Sequence, residues 1–410
     1  MRPIDLQKEE LTEKEKRNIE IMEILRRRGP ISRPEISKET GINIVTISSY
    51  VDNLIKHNLV FEKELDISEG GRRPELLDLN PQGGYVIGVG LNLMNMVGVL
   101  VDLKGNIIFK TQIERGGVSV GEVVECLLDI IRKIIARSKG YNIQGIGVGI
   151  AGIVDKNEGS VCWPERLGPG VTNYASVNIR FKDLIEKEFG LPAIIENDAT
   201  SACFGERWLD LEPGIKNVLY MFSGVGCGIV INGEVYRGAN GYAGEVSIYN
   251  HKENGLFNCA LGKTCFLKRW DTDMGIVDDV KSALLKDKEG AERFLKLTST
   301  DINSMGLKNI FNAARAKDAI AMAALDQAAK RLGIKIAFLV NLFNPQAVII
   351  GGGFEDAGED FLNRVSQTIR DWAFREATKD LKVVYSRLKE NAVAQGAASL
   401  VMEKFFAQLW

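Results

Sequence analysis

Between residues 14 and 28 the apolar side chains Ile19, Met22 and Leu25 recur at spacing three among charged neighbours, which predicts an amphipathic helix stopped by Gly29-Pro30. Ser32-Arg33-Pro34-Glu35 follows as a capping box, with Ser32 placed to cap exposed amides and Glu35 placed to reach back. A second helix runs to about Thr40, and Gly41 makes the turn. A third begins after Asn43, a good N-cap, with Ile44, Ile47, Val51 and Leu54 facing inward. Phe61–Leu65 and Leu76–Leu79 read as two strands flanking Gly70-Gly71-Arg72-Arg73-Pro74. Three helices and a hairpin in this order predict a winged helix-turn-helix over residues 1–80.

The pattern changes after the turn-rich junction Asn80-Pro81-Gln82-Gly83-Gly84. The apolar runs Tyr85–Val89, Val97–Val101, Ile143–Ile150 and Ala347–Ile350 alternate with helical segments, a rhythm that predicts α/β layers. Gly88-Val89-Gly90 before one strand pair echoes Ser223-Gly224-Val225-Gly226-Cys227-Gly228 before another. Two related lobes, each opening on a glycine-rich β-hairpin, would produce that echo.

Composition removes several function classes. The 410 residues are 45% apolar with no glycine period, which excludes disorder and collagen-like repetition. A net charge of −2 gives no whole-chain signal for nucleic acid or membrane, so any such function lives in a local patch. The charged start, Met1 to Arg17, is no signal peptide, and no segment reaches the ~20 apolar residues of a membrane span. Six scattered cysteines are not a disulfide framework. A cytoplasmic location is expected, with no membrane partner.

Thr46, Ser48, Ser49, Tyr50 and Asn53 remain as polar residues around the third helix, suited to base edges and phosphates in a major groove. Arg72 and Arg73 on a glycine-opened tip suit a wing reaching phosphates or a minor groove. From Arg26 to Arg73 nine Lys/Arg stand against seven Asp/Glu, so charge alone speaks weakly for DNA. Three short helices with a hairpin also fit a protein-interaction module.

Glycines in residues 223–228 would let backbone amides approach an anion, although tight hairpins use such runs too. The continuation is more specific: Gly233-Glu234-Val235-Tyr236-Arg237-Gly238-Ala239-Asn240-Gly241-Tyr242-Ala243-Gly244-Glu245. It closely resembles the signature of the ROK family, the repressors and sugar kinases of the actin-like ATPase superfamily. Glu196-Asn197-Asp198 with Gly205-Glu206 is similar to the family's sugar-site segment. Gly149-Ile150-Ala151-Gly152 resembles the loop near the sugar, and Asn344-Pro345 before Gly351-Gly352-Gly353 resembles its adenosine-side loop. The winged helix ending in Gly-Gly-Arg-Arg-Pro resembles the repressor branch, with its xylose- and N-acetylglucosamine-type members.

The resemblance implies a two-lobed, ribonuclease H-like sugar-kinase-type domain, with lobes at residues 81–195 and 196–410. It implies sugar contacts from Gly152, Asn173, Asn197, Asp198 and Glu245. A vestigial nucleotide site would use Gly224, Gly226, Gly228, Gly351, Gly352 and Gly353. Asp198 would be the catalytic base only in a kinase, because an acceptor carboxylate also binds sugar hydroxyls without chemistry. Read locally, Asn197-Asp198 also fits a helix cap, and Glu245 fits an ordinary surface acid.

Departures from the family pattern turn the expectation away from catalysis. The kinase hairpin Gly-x-Asp-x-Gly-Gly-Thr corresponds to Gly88-Val89-Gly90-Leu91-Asn92-Leu93-Met94, which lacks the acid that helps place magnesium. The family's zinc site of one His and three Cys is reduced to Cys259 and Cys265, with Ile248 at the histidine position and His251 out of register. Phe266-Leu267 replace the glutamate after the last cysteine. No metal site and no cofactor are expected, and MgATP enters only if the chain is a kinase.

The expected function is a sugar-responsive transcriptional regulator, a repressor of carbohydrate-metabolism genes, acting as a dimer or tetramer on operator DNA with a saccharide effector. The two lobes are expected to close on the saccharide and to change the spacing of the two winged helices. An ATP-dependent sugar kinase of the glucose or N-acetylglucosamine type is the alternative. A regulator whose large domain senses a protein partner is a third class.

Overall fold

The computed structural model describes residues 11–63, 75–91, 95–114, 120–163, 177–222, 226–246 and 275–409. The chain divides into two compact units, Met1–Leu209 with Asn391–Trp410, and Asp210–Glu390.

The first unit opens with α1 (Glu13–Arg28), β1 (Ile31–Ser32), α2 (Arg33–Thr40), α3 (Ile44–Lys56), β2 (Val60–Lys63) and β3 (Leu76–Leu79). Each helix starts where a side chain satisfies an orphaned amide. Thr12 and Glu15 form a reciprocal capping box on α1, Ser32 and Glu35 form another on α2, and Asn43 Oδ1 accepts the Thr46 N–H at 2.9 Å. Gly41 makes the expected turn, ending α2 in the left-handed conformation at φ 70°. The strands pair antiparallel in the order β1-β3-β2, so the two-residue β1 joins the hairpin legible in the sequence. Arg33 ties this module together, reaching Asp52 on α3 at 3.1 Å, Glu62 on β2 at 3.0 Å and Glu75 at 3.1 Å.

Two sequence expectations need correction here. Ile44 does not face inward; it is 42% exposed at the first position of α3, while Ile47, Val51 and Leu54 are buried. The buried face of α1 is Asn18, Ile21, Met22 and Leu25, and Ile19 is only half-buried.

Beyond the short turn Pro81–Gly83 come β4 (Tyr85–Leu91), β5 (Asn95–Asp102), β6 (Ile107–Glu114), α4 (Val120–Arg137) and β7 (Ile143–Ile150). A small antiparallel sheet follows from β8 (Ile153–Asp155), β9 (Ser160–Trp163) and β10 (Val177–Arg180). Then come α5 (Phe181–Phe189), β11 (Ala193–Asn197) and α6 (Asp198–Leu209). The second unit holds β12 (Val218–Phe222), β13 (Gly226–Ile231), β14 (Glu234–Val235), α7 (Ile276–Leu284), α8 (Lys288–Thr298), α9 (Leu307–Arg315) and α10 (Ala319–Phe343). It is completed by β15 (Ala347–Gly351), α11 (Glu359–Trp372), α12 (Arg375–Thr378) and β16 (Lys382–Tyr385), after which α13 (Ala392–Ala407) returns to the first unit.

The two five-stranded sheets share one connectivity. Their orders are β11-β7-β4-β5-β6 and β14-β13-β12-β15-β16, each built from an antiparallel three-strand meander followed by two parallel strands. The glycine echo of the sequence is therefore the trace of a duplicated α/β unit.

The lobe boundary differs from the expected break at residues 195/196. It falls after Leu209, and the carboxyl-terminal helix α13 packs in the first unit. The reason is packing: Gly88 and Gly90 on β4, with Gly147 and Gly149 on β7, leave one sheet face bare enough to seat α13. A Cβ at Gly90 would lie 2.6 Å from the Ala394 backbone nitrogen. Val86, Val97, Val99 and Val101 bury against Ala394, Ala398, Val401 and Met402 on that face. The other face packs on α4 and α5 through Ile87, Val89, Ile130, Ile134 and Ile185.

Candidate functional site

In the first unit the site residues gather at the carboxyl ends of parallel strands, where open α/β sheets bind ligands. β7 and β11 run parallel with Ile150 beside Asn197, so the turn at Gly152 and the start of α6 are neighbours. Gly152, at φ 132°, adopts a backbone conformation that a side chain would strain. Its carbonyl accepts from Asn197 Nδ2 at 3.2 Å. Asn197 Oδ1 accepts the Thr200 N–H at 3.1 Å, so this residue is also the N-cap of α6. The helix-cap alternative and the sugar-contact expectation thus fall on one side chain, and each amide atom keeps capacity for a further partner.

Asp198 sits in the first turn of α6, buried, with Oδ1 accepting the Ala199 N–H at 2.8 Å. Burial pushes its carboxyl up from 3.8 to about 6, against the lowering effect of the Ala199 and Asp198 amides and the Asn197 side chain. Such a group accepts hydroxyls when ionised and can take a proton near neutrality. Glu196, no part of the expected sugar contacts, is a buried carboxylate whose Oε1 accepts the Asn197 N–H at 2.9 Å.

At position 90 no carboxylate could be accommodated without displacing α13, which is the structural counterpart of the missing kinase acid. Asn92, Leu93 and Met94 lie outside the described residues, as do Asn173, Gly224, Ile248, His251, Cys259, Cys265, Phe266, Leu267, Arg72 and Arg73. Among the described residues no cluster of His, Cys, Asp or Glu could hold a metal ion.

In the second unit the signature loop is shaped by glycines with positive φ, Gly238 at 69°, Gly241 at 81° and Gly244 at 95°. Gly244 folds against β13, its carbonyl accepting the Cys227 N–H at 2.9 Å, and Glu245 bridges to Gly226. Glu245 is exposed. The loop borders a concavity of about 670 Å³ lined by Ile229, Tyr236, Tyr242, Gly244 and Phe343, all within this unit. Gly228 is a strand residue opposite Tyr220. Gly351 has no room for a side chain beside the Tyr220 ring, so packing alone accounts for that glycine. Gly352 and Gly353 turn at φ 72° and 99°, and the Gly353 N–H donates to Glu355 Oε2 at 2.9 Å. An internal carboxylate, itself raised by burial, therefore occupies one amide of the expected nucleotide loop.

On α3 the sequence-assigned residues lie on the side away from the core. Ser49 is exposed, and Thr46, Ser48, Tyr50 and Asn53 are half-buried. Ser48 Oγ donates to the Ile44 carbonyl at 2.9 Å, and the Asn53 carbonyl accepts from the His57 N–H at 3.1 Å. Ile44 and Val45, the latter 75% exposed, add apolar surface at the amino end of α3, where hydrophobic patterning points Ile44 to the core and gives no sign of Val45. Apolar side chains there are suited to thymine methyl groups.

A winged helix joined to a duplicated α/β fold, with an aspartate at the carboxyl end of a parallel strand, defines a sugar-kinase-type fold with an added helix-turn-helix module. Residues 86–404 match the ROK family, and the chain belongs to that family. A xylose repressor from Caldicellulosiruptor bescii is 32% identical over 385 residues, covering 91% of this chain and 92% of the relative. A crystal structure of a ROK family transcriptional regulator, a homologue of the Escherichia coli MLC protein, superposes with TM-score 0.70 at 24% identity, covering 97% of this chain and 98% of that one, a likeness of fold. A ROK family glucokinase from Streptomyces griseus, solved with glucose and AMPPNP, superposes with TM-score 0.63 at 26% identity over 77% of this chain and 99% of its own. Among the described residues no helix is long and apolar enough to cross a membrane.

Proposed function

We propose that this chain is a sugar-responsive DNA-binding regulator of transcription, a repressor of carbohydrate-metabolism genes whose kinase-like domain senses the effector. The observation that carries this is the union, in one compact unit, of a winged helix and the Gly152–Asn197–Asp198 cluster. Operator DNA and a saccharide are its partners. The relatives' names make D-xylose the first effector to try and D-glucose the second. A homo-oligomer, dimer or tetramer, matches a two-fold operator. Function in this role needs neither metal nor nucleotide.

Selection of fragments from the source genome by the purified protein, repeated with D-xylose and D-glucose, tests this directly. Enrichment of one palindromic site, with occupancy altered by a sugar, is the expected outcome. No enrichment under any condition would remove the DNA-binding assignment.

A sugar kinase is favoured by one observation, the buried Asp198 with its carboxyl raised to about 6, which suits a general base. Against it stands Gly90, where α13 fills the space of the missing acid. Incubation with MgATP and each sugar should release no sugar-dependent ADP.

A further inference from the structure

Helix α6 has a different role at each end, and both ends lie in the first unit. Its amino end carries Asp198 and the Asn197 cap. Its carboxyl end presents carbonyls of the last turn, which have no partner inside the helix. These are taken by α1 of the winged helix: Arg27 donates to the carbonyls of Arg207 at 2.8 Å and Trp208 at 3.0 Å, and Arg26 donates to the Trp208 carbonyl. Cations at this end also oppose the negative pole of the helix dipole. The Arg26 guanidinium lies 5.1 Å from the centroid of the Trp208 ring, which stacks on Phe204 and packs beside Phe406 of α13. A second carbonyl clamp lies alongside, where buried Asn18 of α1 donates to Ala407, the last residue of α13, at 2.9 Å.

The first clamp gathers three guanidiniums. Arg26, Arg27 and Arg207 lie around Glu23, which is 3.1 Å from Arg27 and 3.5 Å from Arg207. Burial and the two neighbouring guanidiniums bring Arg26 down to about 9. The Arg207 and Trp208 carbonyls of α6 accept from Arg26 and Arg27, so a small displacement of α6 would loosen this clamp while Asn18 still holds α1 to α13. At 1.5 Å per residue the twelve residues of α6 span about 18 Å, and packed helices shift as rigid bodies by 1–2 Å in switching proteins. The α6–α13 contact suits such a shift, because Gly205 and Gly396 meet there without side chains.

Building on the proposed sugar-gated function, we propose that α6 transmits saccharide occupancy at Asp198 to the winged helix, with Arg26 and Arg27 as positioning residues that couple the two. The saccharide shifts α6 only as far as it favours one position of that helix over another. The coupling is measured as the ratio of DNA affinities without and with sugar.

The test compares the full chain with Arg26→Gln/Arg27→Gln and with Arg27→Lys, which keeps the charge but not the planar guanidinium whose Nη2 reaches both carbonyls. The DNA is the fragment enriched by the genome selection, and the sugar is D-xylose, or D-glucose if that is the one that shifts occupancy. The expected result is a coupling ratio reduced roughly tenfold in the double variant and less in Arg27→Lys. Sugar affinity of the DNA-free protein, read by calorimetry, should stay within about threefold of wild type. An unchanged ratio in a folded double variant overturns the transmission role and leaves the sugar-gated regulator standing. Loss of the ratio in step with loss of sugar binding also overturns it. If the double variant does not fold, Arg27→Lys alone decides. A wild-type protein whose DNA affinity ignores both sugars overturns the function and the coupling together.

Discussion

Asn197 links two turns with one side chain, donating through Nδ2 to the Gly152 carbonyl at 3.2 Å while Oδ1 caps the Thr200 N–H at 3.1 Å. Removing both interactions in Asn197→Ala should cost about 1–2 kcal/mol, the usual loss for an N-cap. Asn197→Ser keeps a cap but is too short to reach Gly152, so its loss should be clearly smaller. Urea denaturation midpoints of the two variants check this. Equal losses would mean that the link to Gly152, and not the cap, sets the stability of this corner.

Asp198 gives a pH signature whose sign follows from its environment. Its folded value of about 6 lies above the ordinary 3.8, so between these values the folded protein holds the proton more tightly than the unfolded chain. Its contribution to stability is therefore full below pH 3.8 and is lost as pH rises through about 6. Asp198→Asn should remove that slope, gaining stability relative to wild type as pH goes from 4 to 7. Saccharide affinity should run the other way in wild type, weakening below about pH 6 as the carboxylate loses its acceptor character, and this dependence should vanish in Asp198→Asn. Thermal unfolding and calorimetry across pH 4–8 read both effects.

Where α6 crosses α13, a Cβ on Gly205 would lie 2.7 Å from the Gly396 Cα, and one on Gly396 would collide with the Ser201 carbonyl. Gly396→Ala should therefore destabilise by about 1–3 kcal/mol through overpacking, reversing the ~1 kcal/mol gain that alanine normally brings to a helix interior. Gly90→Asp should likewise lower the melting temperature without creating ATP turnover, since α13 occupies the space beside it. A stable Gly90→Asp protein with sugar-dependent ADP release would contradict this packing account.

At the amino end of α3, Val45 is 75% exposed and touches no core. Val45→Glu should change folding stability by less than about 0.5 kcal/mol. The added negative charge would enter a groove walled by phosphates, so binding to the selected DNA fragment should weaken at least roughly tenfold, which a gel-shift titration measures. Ile47→Ala, by contrast, should cost about 2–5 kcal/mol of stability, because Ile47 is fully buried.

Features that one stretch of chain decides for itself were legible in the sequence. The capping box of Ser32 and Glu35, the stop at Gly29-Pro30, the turn at Gly41 and the strand spans around Tyr85, Ile143 and Ala347 all arise from interactions within a few residues. The glycine echo carried the duplication, because each lobe repeats the same hairpin in its own local sequence. Asp198 and Asn197 were likewise visible as a motif.

Tertiary structure alone decided the rest, because the deciding partners lie far away in sequence. Asn18 is buried on α1 because a carbonyl 389 residues away accepts its amide, which no periodicity of apolar residues can announce. Ile44 is exposed because α3 presents that edge away from its module's core, and hydrophobicity alone marks only that a residue could be buried. The lobe boundary moved to Leu209 because the glycines of β4 and β7 accept α13, the last helix of the chain, on a face opened by missing side chains. The carboxyl of Asp198 rises because its surroundings exclude water, a property of packing that the residue's own identity does not contain.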